Sequence, residues 1–191
     1  MYRVINHRPD TVCERVFLPD REERVGCAQS FTPLLSLESQ QPINDFHLIG
    51  FSVSYENDYV NLLQMLEDAH LPLLASERDE RHPLVIVGGA VTYINPEPIA
   101  DFVDIIIMGD GEETINTYLD LACDTLGQSR REHLRQAVQI PGVYVPSLHL
   151  QASDAPPMTP RKITELAQWP AYSSVLTDET EFSGSLLVEI T

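Results

Sequence analysis

Three short runs of almost uninterrupted apolar residues constrain the fold of this 191-residue chain more than any other feature. They occupy residues 46–53, 83–89 and 102–108, and each ends in a segment rich in serine or glycine. Strands of a parallel sheet are apolar on both sides because helices cover both faces, whereas half-exposed strands alternate apolar and polar residues. The three runs therefore predict neighbouring strands of a buried parallel sheet.

The segments that follow these runs have the spacing of amphipathic helices. Apolar residues recur every three or four positions between residues 57 and 70, and again between residues 112 and 126. The apolar stripe of the second segment comprises Ile115, Tyr118, Leu119, Ala122 and Leu126. Strands that alternate with helices predict an α/β fold with a doubly wound, mostly parallel sheet of the flavodoxin-like or Rossmann-like type.

The first part of the chain predicts shorter elements. Residues 2–8 are typical of the end of a helix whose start would precede residue 1. Residues 12–18 predict a short strand, residues 20–28 a short charged helix, and residues 33–37 a short extended piece. We therefore expect the chain to be an excerpt from a longer protein.

Residues 1–128 are predicted to form the α/β domain. The rest of the chain divides into three regions. Residues 129–150 predict a connecting helix and a short strand. Residues 151–184 are rich in Pro, Ser, Thr and Asp and predict a linker. Residues 185–191 are apolar and β-branched, and they predict a strand that is cut off at its end.

Composition excludes several classes of function. The formal charge of −17 argues against direct nucleic-acid binding, which requires basic surface. No apolar run approaches the roughly 20 residues of a membrane helix, so no membrane contact is expected. Cys13, Cys27 and Cys123 have no metal-site spacing, which favours reduced thiols in a cytoplasmic protein.

Ligands of open α/β sheets bind beyond the carboxyl ends of the strands. Three such ends carry residues that would let a ligand approach the backbone, namely Ser52, Ser54, Gly88, Gly89, Gly109, Asp110 and Gly111. Helix capping and tight turns would account for each of them equally well when taken alone. The sequence contains neither the GxGxxG nor the GxxxxGK[ST] phosphate-binding motif, and no catalytic residue can be assigned from spacing.

Taken together, these motifs resemble the amino-terminal domain of the cobalamin-binding-domain radical SAM proteins. The resemblance rests on ERVFLP, LSLES, GFSVS, PLVIVGG, NPEPIAD, MGDGEE and IPGVYVP, which begin at residues 14, 35, 50, 83, 95, 108 and 140. It implies a flavodoxin-like cobalamin-binding domain ahead of a partial (β/α) barrel. In that barrel a CxxxCxxC motif would hold a [4Fe-4S] cluster that cleaves S-adenosylmethionine.

The resemblance also implies where the chemistry would lie. Residues 185–191 resemble the first barrel strand, so the iron–sulfur cluster and S-adenosylmethionine would belong to an absent part of the protein. The resemblance matches Ser52 and Ser54 to a serine-containing loop that packs on cobalamin, and Gly88 and Gly89 to glycines near its nucleotide tail. It matches Gly109, Asp110 and Gly111 to the loop after the last strand.

The resemblance further implies that the first strand of the domain would precede residue 1. That strand is central in the usual order 2-1-3-4-5, so its two neighbours would have exposed edges. A loop with the sequence DxHxxG would be missing with it, and no histidine ligand to cobalt can be assigned.

The leading hypothesis is an accessory cobalamin-binding domain of a radical SAM iron–sulfur enzyme, without catalysis of its own. Its partners would be the remainder of the radical SAM polypeptide and an unknown substrate. One alternative is a vestigial Rossmann-like scaffold that acts as a substrate- or partner-interaction module. Another is a small nucleotide- or phosphate-binding domain that uses the amino end of the helix after Gly111.

Overall fold

The computed structural model describes residues 1–150, 158–169 and 177–179. The barrel strand predicted at residues 185–191 lies outside the described residues, and so does most of the linker predicted at residues 151–184.

The described residues form one four-stranded sheet in the order β1–β2–β3–β4. Its strands are β1 (Leu48–Ser52), β2 (Leu84–Gly88), β3 (Ile105–Ile107) and β4 (Val143–Tyr144). The first three strands are parallel, and β4 runs antiparallel to β3. The three parallel strands lie within the three apolar runs, which confirms that prediction.

Helices lie on both faces of this sheet. The α-helices of the described residues are α1 (Tyr2–Asn6), α2 (Arg21–Ser30), α3 (Asp58–Asp68), α4 (Ala90–Ile94), α5 (Gly111–Asp124), α6 (Arg130–Ala137) and α7 (Pro146–His149). Helix α3 packs on the face that contains Ile49, Val85 and Val87, whereas α5 and α6 pack on the face that contains Ile86 and Ile105. The structure therefore has the predicted doubly wound α/β architecture. None of the described helices is both long enough and apolar enough to cross a membrane.

The strand predicted at residues 12–18 is wrong. A β-strand needs a neighbouring backbone ladder, and this segment instead bonds to a side chain and a loop. The Arg15 N–H donates to the Glu38 carboxylate at 2.7 Å, and the Arg15 carbonyl accepts a hydrogen bond from the Leu37 N–H at 2.8 Å. Leu126 is also misplaced in the predicted apolar stripe, because α5 ends at Asp124 and the Leu126 side chain is 60% exposed.

A buried ion cluster fixes the amino ends of β2 and β3. The Asp104 carboxylate is 2% exposed and accepts hydrogen bonds from Arg78 at 2.8 Å and from Arg130 at 2.6 Å. It also accepts a hydrogen bond from the Val85 N–H of β2 at 2.8 Å. The two guanidinium groups also donate to backbone carbonyls. Arg78 donates to the Pro72 carbonyl, and Arg130 donates to the Pro83 carbonyl. Every guanidinium nitrogen of both arginines thus has an acceptor, as expected for a cluster with a structural role.

A second buried polar group joins α5 to α6. The Thr125 hydroxyl lies 2.7 Å from the Leu121 carbonyl, to which it donates, and 2.7 Å from His133 Nδ1. Thr125 has one hydroxyl proton, so Nδ1 carries a proton and donates to Thr125. Nε2 of His133 then accepts from the Tyr118 hydroxyl at 2.8 Å. This arrangement requires a neutral imidazole.

The stability of the protein should decrease in mild acid because of His133. Burial lowers the pKa of His133, and the positive charge of Arg130 lowers it further. The unfolded chain therefore binds a proton at His133 more readily than the folded protein does. The contribution of neutral His133 to the free energy of unfolding is complete above about pH 6.5 and decreases as the pH falls below that value. Urea unfolding at pH 7.5 and pH 5.5 measures the loss. The His133→Gln variant should show a smaller loss over the same interval, and an equal loss in both proteins would contradict the assignment.

Candidate functional site

A large groove opens on the face of the sheet that α5 covers only in part. Its volume is about 1820 Å³, and its floor includes Gly50, Ser52 and Gly88. One wall is formed by α5 and the other by residues 10–17. Both Gly50 and Ser52 are exposed. The helices of the described residues thus leave this face open over β1 and part of β2.

Ser52 and Gly88 form the floor of the groove at the carboxyl edge of the sheet. They are the last residues of β1 and β2 and are paired in register. A Cβ atom added to Gly88 would have its nearest contact at 3.8 Å, with the Ile107 carbonyl oxygen. The position is therefore not crowded by the protein itself. This pair provides a flat surface with one hydroxyl group, which a ligand could approach closely.

Gly89 lines the same groove, but its close neighbour is the protein backbone. Its φ of +107° lies in the region that favours glycine, and an added Cβ atom would lie 2.8 Å from the Val53 backbone nitrogen. The Val53 N–H donates to the Gly88 carbonyl at 2.8 Å, and the Val53 carbonyl accepts from the Val91 N–H at 3.3 Å. The absence of a side chain at Gly89 thus allows the chain to leave β2 directly beside Val53.

Gly109 and Asp110 contact a later segment of the same chain. Gly109 has a φ of +89°, and an added Cβ atom would lie 2.7 Å from the Arg161 backbone nitrogen. The Asp110 N–H donates to the Arg161 carbonyl at 2.9 Å, and the Asp110 carboxylate accepts from the Ile163 N–H at 2.7 Å. The Arg161 guanidinium lies 2.8 Å from the Glu113 carboxylate. This loop therefore holds residues 161–163 against the carboxyl edge of the sheet.

Six of the seven predicted site residues lie together in the groove. Gly111, the first residue of α5, also lines it, and a Cβ atom added there would lie 3.2 Å from Met1 Cε. Ser54 is exposed but lies outside the groove lining. The positions that remain open for contact with a ligand are Ser52 and Gly88, because close contacts within the protein account for Gly89, Gly109 and Gly111.

Several groove residues were not predicted from the sequence. Tyr93 and Ile94 of α4 line the carboxyl end of the groove and are 50% and 72% exposed. Their position four and five residues after Gly89 could have indicated them, because a helix that begins at a strand end places its side chains at that edge. Cys13 and Cys123 also line the groove, and no local pattern marks them.

The histidines of the groove do not form a metal site. The histidines in its lining are His47, His82 and His133. His47 precedes β1, His82 precedes β2 and His133 lies in α6, so none of them lies at the carboxyl edge. Within the described part of the chain, no group of three or more His, Cys, Asp or Glu side chains is arranged to hold a metal ion.

Comparison with known proteins identifies the family. The sequence model for the amino-terminal part of radical SAM proteins matches residues 1–146. The chain belongs to this family. The uncharacterized protein MJ0966 of Methanocaldococcus jannaschii is 25% identical over 154 residues, which cover 81% of this chain and 29% of the relative. The radical SAM amino-terminal domain described here thus spans less than a third of that relative's length. No solved structure matches the chain.

Proposed function

We propose that this accessory domain of a radical SAM protein holds cobalamin at the carboxyl edge of its sheet, for use by the remainder of the polypeptide. The observation that carries the proposal is the uncrowded Ser52–Gly88 pair, which opens into a groove of about 1820 Å³. The carboxyl ends of parallel strands are the usual ligand position in such sheets. The domain has no catalytic activity of its own in this proposal.

The groove floor suits a broad, flat cofactor. Gly50 and Gly88 present no side chain, and a Cβ atom added to Gly50 would meet no atom within 4 Å. The Ser52 hydroxyl would hydrogen-bond an amide group at the edge of the corrin ring, and Tyr93 would shield that ring edge from water. When bound, cobalamin would supply a cobalt centre for group-transfer or one-electron chemistry. None of the histidines that line the groove lies at this edge, so the protein would hold cobalamin through the amide groups and the nucleotide tail of the cofactor.

Titration with hydroxocobalamin tests this proposal. The visible spectrum of the cofactor should shift on binding, and Gly88→Leu should weaken the affinity about tenfold or more, since a leucine side chain would fill the floor. Ser54→Leu is the control, because Ser54 also follows β1 at the carboxyl edge but lies outside the groove. Far-ultraviolet circular dichroism establishes that both variants are folded. An unchanged spectrum with the folded protein, or equal weakening by both substitutions, would contradict the proposal.

A partner-interaction module is the second candidate function. The exposed side chains of Tyr55, Tyr93 and Ile94 favour it, because exposed aromatic and aliphatic side chains are common in protein interfaces. The close backbone contacts of Gly89 and Gly109 favour it too, since they explain both glycines without a ligand. The cobalamin titration distinguishes the two functions. A phosphate site at the start of α5 is less favoured, because Asp110, Glu112 and Glu113 would repel an anion there.

A further inference from the structure

We propose that residues 158–163, here called the strap, form a closure that Asp110 holds over the carboxyl end of β3 and that opens by local release. The strap would thereby set how many strand ends a ligand in the groove can contact. This inference adds a regulation to the site of the proposed function and rests on that function for the ligand. The strap itself is tested without cobalamin.

The strap lies between two loops that each contribute a glycine facing Arg161. Gly109 and Gly142 have φ values of +89° and +85°. A Cβ atom added to Gly109 would lie 2.7 Å from the Arg161 backbone nitrogen, and one added to Gly142 would lie 3.2 Å from Arg161 Cβ. A side chain at Gly109 would therefore exclude the strap from its position, and one at Gly142 would crowd it. The two loops fit the backbone of this segment closely.

The backbone of the strap pairs with the residues that directly follow β3. Arg161 and Gly109 form a parallel bridge. The Arg161 N–H donates to the Met108 carbonyl at 3.0 Å, and the Arg161 carbonyl accepts from the Asp110 N–H at 2.9 Å. The strap thus satisfies backbone groups at the end of β3 that a bound ligand would otherwise contact.

The strap also crosses the edge of the sheet from one face to the other. Met158 packs against the buried cluster on the face that α3 covers. Lys162 and Ile163 line the groove on the opposite face. Between these points the chain passes over the carboxyl end of β3.

This position limits the site to two strand ends. Ligands of open α/β sheets bind beyond the carboxyl ends of the strands. Ser52 and Gly88 end β1 and β2 and line the groove floor, whereas the strap occupies the corresponding place after β3. With the strap in place, a ligand contacts the ends of β1 and β2. Release of the strap would add the end of β3 and the first turn of α5 to the site.

Asp110 makes the strongest contact that holds the strap. Its carboxylate accepts a hydrogen bond from the Ile163 N–H at 2.7 Å, and a hydrogen bond to a charged acceptor is stronger than a neutral one. The ion pair of Arg161 with Glu113 contributes less, because the two side chains are 48% and 41% exposed. The Gly109–Gly111 motif therefore supplies both the space for the strap and the carboxylate that holds it.

The strap can open without unfolding of the sheet. None of residues 158–163 is fully buried, and Arg161 and Lys162 are exposed. Segments with few buried contacts open locally, at a smaller free-energy cost than global unfolding. The strap has this character, whereas the strand end beneath it is part of the core.

Cleavage by endoproteinase Lys-C tests the proposal, because Lys162 is the only lysine in the sequence and lies within the strap. The protease cuts after lysine in accessible, extended segments, so it should cut the Lys162–Ile163 bond only when the strap is released. Intact-mass spectrometry of the 191-residue chain measures the rate. We expect cleavage about 100-fold slower than in a synthetic peptide of residues 158–169. Asp110→Ala should be cut about tenfold faster than the wild-type chain, because the bond to Ile163 is lost.

Two further variants make the result specific. Glu112→Ala is the control and should be cut at the wild-type rate, because the Glu112 carboxylate also lines the groove but is not among the groups that bond to the strap. Asp110→Asn should be cut at an intermediate rate, since an asparagine keeps an acceptor oxygen without the charge. Far-ultraviolet circular dichroism establishes that each variant is folded.

Low concentrations of urea distinguish local release from global unfolding. Below the unfolding transition, the wild-type cleavage rate should stay nearly constant relative to that of the peptide, because local release exposes little surface. The proposal is overturned if the wild-type chain is cut as fast as the peptide, or if its rate rises with urea as steeply as unfolding does. Equal rates for the Asp110 and Glu112 variants would also overturn it. No sample contains cobalamin, so a failed cofactor titration leaves this result unaffected.

Discussion

The Asp104→Asn variant should lose about 3–5 kcal/mol of unfolding free energy, because the substitution leaves two buried arginines without a counter-charge. The side chains of Arg78 and Arg130 are 0% and 10% exposed, and both guanidinium groups bond to this carboxylate. Burial lowers the pKa of Arg78, because the buried guanidinium is poorly solvated. An asparagine can keep one or two of the hydrogen bonds, but it cannot balance the charge.

Urea unfolding followed by circular dichroism measures this effect. Asp120→Asn is the matched control, because it removes a carboxylate that lies 2.6 Å from the Arg8 guanidinium. The Asp120 side chain is 66% exposed, so this pair is on the surface. Exposed ion pairs of this kind contribute less than about 1 kcal/mol. Equal destabilisation by the two substitutions would show that the buried cluster contributes no more than a surface pair does.

The parallel strands could be predicted from the sequence because their signal is local. Ile49, Val85 and Ile105 belong to runs in which nearly every residue is apolar, and the side chains of all three are buried. The Asp104 cluster could not be predicted in this way. Its two arginines are each 26 residues from Asp104, and only the folded sheet brings the three side chains together.

The wrong strand prediction at residues 12–18 also arises because contacts between remote segments cannot be predicted from local sequence. Their apolar and β-branched residues fit a strand, but a strand forms only where a neighbour supplies hydrogen bonds, and the sequence of the segment carries no information about that neighbour.

The sequence predicted that the residues of the candidate site lie together, but it did not predict what each of them contacts. Gly88, Gly89 and Gly109, which follow two of the predicted strands, all line the groove. Their individual roles depend on distances between segments that are remote in sequence. Gly88 is open, whereas Gly109 is crowded by Arg161, which lies 52 residues later in the chain and carries no motif.

Gly89→Ala should be the second strongly destabilising substitution, with a loss of about 3 kcal/mol or more. The new Cβ atom would lie 2.8 Å from the Val53 backbone nitrogen and closer still to its carbonyl oxygen, and the φ of +107° is itself unfavourable for alanine. Relief would require a shift of the chain after β1, which would break the hydrogen bonds of Val53 to Gly88 and Val91. Urea unfolding measures the loss.

Gly127→Ala separates the two causes of this loss. Gly127 has a φ of +83°, but a Cβ atom added there would meet nothing within 4 Å, so only the backbone conformation is penalised. That penalty is about 1–2 kcal/mol. The difference between the two variants therefore measures the cost of displacing the Val53 backbone, and equal losses would show that this backbone moves freely. If the difference is as large as expected, a loss of cobalamin binding in a Gly89 variant would report damage to the sheet edge. Binding experiments should then rely on Gly88, where a side chain can be added without that damage.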